Sequence, residues 1–110
     1  ATTERSRWEL WAEVNHDRIS HEKFEELLQQ EISFIRNGLE TPTKRTQVKW
    51  QGDAEVWYPV AINILRCLIC TTNPVEFASE LLMPFTFDNI RNAQDPWAKA
   101  QQLCPAHYNR

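Results

Sequence analysis

Apolar residues bunch most densely between Trp57 and Cys70 (WYPVAINILRCLIC), where only Pro59, Asn63 and Arg66 break the run. Wound as a helix, Trp57, Ile64 and Leu68 share one face, while Ala61, Ile62, Leu65 and Ile69 cover the others. A helix that is apolar nearly all round is one with other elements packed on most of its surface. The run is too short and too interrupted to cross a bilayer, which takes about 20 apolar residues. The pattern predicts a buried central helix over 57–70. Asp53 can cap it, while Pro59 requires it either to start near Trp57 or to bend there.

The flanking segments read as shorter helices. Thr2 or Thr3 caps a first helix to about Val14, with Trp8, Leu10, Trp11 and Val14 as its apolar stripe. After a polar link over 15–18, Ser20 caps a second helix. There Phe24, Leu27, Leu28, Ile32 and Ile35 recur at helical spacing, and Asn37-Gly38 ends it. Asn73-Pro74, with Glu76 completing a capping box, predicts a third flanking helix through Leu82. So short a link would pack it antiparallel on the central helix. Phe85, Phe87 and Ile90 read as a lid with one helical turn after Thr86. Asp95-Pro96 starts a final helix to Leu103, and the tail 105–110 is expected to be loose. Residues 39–52 hold Pro42 and three threonines and read as a non-helical loop, or across Gly52 as a small hairpin with Val56 and Tyr58. The expectation is an all-α, single-domain bundle of about five helices over residues 1–104.

Composition agrees with this pattern. Two glycines in 110 residues leave little room for tight β-turns or phosphate-cradling loops. A net charge of −3 implies no particular partner, although Lys44, Arg45 and Lys49 gather beside Trp50 in the central loop. Charge with an aromatic platform is how single strands of nucleic acid are held, but this patch is small and the chain acidic. With no signal-peptide pattern or membrane-spanning run, the chain reads as intracellular and cytoplasmic. Its opening on Ala1 suits a processed or excised segment.

Candidate chemistry is sparse. Cys67-x-x-Cys70 and Cys104-x-x-His107 supply zinc-ligand types at zinc-like spacing, yet the first pair sits among Leu65, Leu68 and Ile69 without turn residues. Free thiols in a reducing compartment are the plainer reading. Glu13-x-x-His16 resembles half of a di-iron motif with no second half. No nucleophile elbow and no glycine-rich phosphate loop is present, so neither catalysis nor a cofactor is expected. What remains is an aromatic surplus, with five tryptophans. Trp is enriched in interface hot spots. The sequence therefore points to a non-catalytic interaction or assembly module, docking on a protein partner or on a second copy of itself. Its candidate contacts are Trp8, Trp11 and Trp97 on terminal helices, with Lys44, Arg45, Lys49 and Trp50 in the loop. The alternative is a small nucleic-acid-binding domain using that same loop.

Overall fold

The computed structural model describes residues 2–16, 18–37 and 53–108. Every regular element among them is helical: α1 (Thr2–Asn15), α2 (His21–Arg36), α3 (Ala54–Ile69), α4 (Ser79–Leu82), a 3₁₀ turn (Met83–Thr86), α5 (Asp88–Arg91), α6 (Pro96–Leu103) and α7 (Pro105–Tyr108). The all-α class is as the pattern predicts. The number of helices is larger, because the C-terminal third is broken into single turns around the eight-residue α6.

α3 is the central helix. It begins at Ala54 and continues through Pro59, whose missing N–H removes one bond of the ladder, to the Glu55 carbonyl. The Asp53 carbonyl, rather than its side chain, receives the first amides, from Val56 at 2.9 Å and Trp57 at 3.0 Å. Val56 and Tyr58 therefore lie in α3, which removes the hairpin alternative. Val60, Ile64, Cys67, Leu68 and Ile69 are buried. Trp57 and Leu65 are only half-buried, and Ala61 is exposed. The cover on α3 is thus one-sided, not nearly complete as its composition suggests.

α1 packs along α3 and finishes its C-terminal end. Asn15 Nδ2 donates to the Ile69 carbonyl at 2.8 Å, and Trp11 Nε1 donates to the Thr71 carbonyl at 2.8 Å. The last carbonyls of a helix lack intrahelical partners; Asn15 supplies one for Ile69, and Trp11 holds the chain just beyond the helix end. α2 is capped by Ser20, whose hydroxyl accepts from the Lys23 amide at 3.0 Å. Phe24 seats it in the core, and Glu25 takes the Arg66 guanidinium through two bonds of 2.7 and 2.8 Å.

Two expectations fail on the C-terminal side. The helix expected from Asn73-Pro74 does not form; residues 70–78 are irregular and α4 starts at Ser79. The local capping signal loses to α1: Arg7 Nη2 donates to the Glu76 carbonyl at 2.9 Å, and Glu4 Oε1 accepts from the Ala78 amide. Glu80 then reaches back to the Phe77 amide at 2.9 Å, so the capping function moves along the chain. Nor is the tail loose through residue 108. Pro105 starts α7, and Tyr108 is only 1% exposed. Its hydroxyl donates to the Leu81 carbonyl, and its ring stands edge-on to Trp97 at 4.9 Å and Phe85 at 6.0 Å. With Leu81, Ile90 and Ala100, Tyr108 gathers the short helices onto the buried face of α3.

Candidate interaction surface

Among the described residues, the side of α3 that carries exposed Ala61 and half-buried Trp57 and Leu65 borders an apolar groove of about 410 Å³. Trp57, Ala61, Ile64 and Leu65 line it from α3, and Ala78, Leu82 and Phe85 wall it on the side of the broken helices. Thr3 of α1 also lines it. Past Leu65 and Leu68 it continues into a second stretch of about 350 Å³, where Ser6, Arg7 and Leu10 join the lining. From Trp57 to Leu68 at 1.5 Å per residue the floor is about 16 Å long, or three helical turns. Leu82 is 51% exposed on the groove wall, and Met83 beside it in the chain is 62% exposed. Single exposed apolar residues are ordinary, whereas a contiguous apolar concavity marks a surface that receives something.

Arg7 gives the second stretch its polarity. Its side chain is 3% exposed and pairs with Glu4 at 2.9 Å. The guanidinium carbon lies 3.9 Å from the centroid of the Trp8 ring, and Nη2 is spent on Glu4 and the Glu76 carbonyl. Nε and Nη1 are buried and have no acceptor. Stacking on Trp8 offsets part of that cost. Even so, a buried donor left unmet costs about 1–3 kcal/mol, more on a charged group. Glu4 balances the charge of Arg7, and its other oxygen accepts from the Ala78 amide.

The tryptophans singled out by the sequence are half-buried and engaged internally. Trp8 stacks on Arg7 and stands edge-on to Trp11 at 5.7 Å. Trp11 holds Thr71, and Trp97 packs on Tyr108. Lys44, Arg45, Lys49 and Trp50 lie outside the described residues. The structure does not bring the candidate metal residues to one centre. Cys67 is buried with its thiol directed to the Tyr108 carbonyl at 3.7 Å, Cys70 and Cys104 are half-buried, and His107 is exposed. Among the described residues no group of three or more His, Cys, Asp or Glu side chains is placed to hold a metal. Glu13 is paired with Arg18 at 2.8 Å, and His16 stands edge-on to Trp11.

Arg66 and Tyr108 are displaced from their ordinary behaviour, both in structural roles. The hydrogen bonds that Arg66 donates to Glu25 raise the pKa of Arg66, against the opposing effect of burial. Burial raises that of Tyr108, with the Cys104 and Cys67 thiols adding to it. Sequence reasoning missed Arg7 and the open strip of α3. The Glu4–Arg7 spacing of three was a legible sign of a paired arginine. That Arg7 is buried depends on Glu76, 69 residues away, and no local pattern reports it.

Fold and surface together define a class and no more: an all-α chain carrying an open apolar groove on its central helix. No protein-family model matches the chain, and no curated protein or solved structure is similar to it. No helix among the described residues is long and apolar enough to cross a membrane.

Proposed function

We propose that this chain is a non-catalytic helical interaction module that receives an apolar helix of a protein partner in the groove on α3. The observation that carries the reading is the continuity of that groove over three turns of the central helix, with Leu82 half exposed on its wall. Helix-in-groove recognition uses such a floor, with anchors of the incoming helix at i, i+3, i+4 and i+7. Partner contact accordingly moves from Trp8, Trp11 and Trp97, which are engaged internally, to the groove.

Panning a displayed library of amphipathic helices tests this, with counter-selection on Ala61→Glu. Ala61 is exposed in the groove, and Glu is a good helix former, so the variant keeps the fold. Enrichment of helices with a spaced apolar face that bind only the unmodified chain supports the reading. Failure to enrich, or binders indifferent to Ala61→Glu, speaks against it. Concentration-dependent mass that disappears in Ala61→Glu would instead assign the groove to a second copy of the chain.

A further inference from the structure

We propose that residues 73–82 are a two-state segment, held irregular by the first turns of α1 and folding into one continuous helix when that hold is released. The local sequence is written for the helix. Asn73 is a cap, Pro74 stands at the first helical position and Glu76 completes a capping box, with Val75, Ala78 and Leu82 at helical spacing. The structure instead keeps the chain irregular through Ala78 and starts α4 at Ser79. A place where strong local signals lose to the tertiary fold is where a functional or strained element is expected. The competition is between specific atoms. In a helix from Pro74, the Ala78 amide donates to the Pro74 carbonyl and the Glu76 carbonyl accepts from the Glu80 amide. Those are the two groups that α1 takes: Glu4 Oε1 accepts from the Ala78 amide, and Arg7 Nη2 donates to the Glu76 carbonyl at 2.9 Å. The Glu80 amide donates to the Phe77 carbonyl at 3.0 Å, one residue off its partner in the longer helix. An amide has one proton, so at Ala78 the two arrangements exclude each other. The clamp also carries a cost, because Arg7 keeps Nε and Nη1 buried without acceptors, and release to water satisfies both donors. Ala78 and Leu82 line the groove, so the clamp sets part of its wall, but the switch does not depend on what the groove receives.

The test follows the Cα chemical shifts of residues 74–82 in the isotope-labelled full chain. In the unmodified protein 79–82 should read as helical and 74–78 as non-helical. Glu4→Ala/Arg7→Met removes both clamping side chains together, so no buried charge is left unpaired, and both replacements are good helix formers. Helical shifts should then run unbroken from 74 to 82, with the ratio of helical to irregular form raised about tenfold or more. Phe77→Ala/Ser79→Ala pushes from the other side: it raises helix propensity at two exposed positions and leaves Glu4 and Arg7 in place. It should move the 74–78 shifts in the same helical direction. A folded Glu4→Ala/Arg7→Met protein whose 74–78 shifts stay non-helical overturns the proposal. Helical shifts at 74–78 in the unmodified protein overturn it as well. Where the α1 variant does not fold, Phe77→Ala/Ser79→Ala decides, and unchanged 74–78 shifts there overturn the proposal.

Discussion

Tyr108 is where the fold can be tested most sharply, because the sequence places it in a loose tail and the structure places it in the core. Tyr108→Phe keeps the ring and removes only the hydroxyl that donates to the Leu81 carbonyl. Leu81 is itself 1% exposed, so water cannot replace the bond. The expected loss is about 1–2 kcal/mol, the cost of stranding a buried acceptor. Tyr108→Ala also removes the ring from its edge-on contacts with Trp97 and Phe85 and opens a cavity, for an expected loss of about 3–5 kcal/mol. Those losses are large against the roughly 5–15 kcal/mol that holds a typical domain folded. At about 4 °C per kcal/mol for a chain of this size, Tm should fall by ~4–8 °C in Tyr108→Phe and by ~12–20 °C in Tyr108→Ala. Urea denaturation followed by tryptophan fluorescence measures both, and an unchanged m-value for Tyr108→Phe shows that the same surface unfolds. A Tyr108→Ala protein within about 0.5 kcal/mol of wild type, the range of an indifferent surface change, would refute the docking of α7.

The same residue sets an alkaline limit. Its pKa is raised in the fold, so the neutral hydroxyl is the form the fold favours. Its contribution is complete below the ordinary tyrosine value of about 10 and is lost as pH climbs above it toward the raised folded value. Urea midpoints measured between about pH 9 and pH 11 should fall more steeply for wild type than for Tyr108→Phe. Glu25→Gln loses the two-pronged bond to Arg66 that ties α2 to α3. The pair is partly exposed, so the expected cost is about 1 kcal/mol by urea titration, shrinking in high salt. Ser20→Ala and Asp95→Ala each remove a helix cap seen in the structure, and each should cost about 1 kcal/mol in the same assay.

What the sequence disclosed and what it hid divide along the range of the interactions involved. α2 and α6 begin where their local signals say, because Ser20 to Lys23 and Asp95 to Ala98 are bonds across three residues. α3 is legible as the core because its apolar content is extreme. Which of its faces stays open is not, since a composition that is apolar all round does not reveal where neighbours are missing. The helix expected after Asn73-Pro74 carried good local signals and still failed. Glu4 and Arg7 hold the Glu76–Ala78 backbone in place from the other end of the chain. Tyr108 was hidden for the same reason, since its anchors Leu81, Phe85 and Trp97 are distant in sequence. The groove is a product of these long-range choices. A continuous 74–82 helix laid along α3 would change the wall that Ala78 and Leu82 now form.

Chemical-shift mapping tests the central claim most directly, with the isotope-labelled chain titrated against a synthetic amphipathic helix of about three turns bearing leucines at i, i+3, i+4 and i+7. The account predicts amide shifts concentrated at Ala61, Ile64, Leu65, Leu68, Ala78 and Leu82. Shifts confined to Trp97 and α6, or to the basic segment around Lys44 and Trp50, with α3 unperturbed, would contradict it.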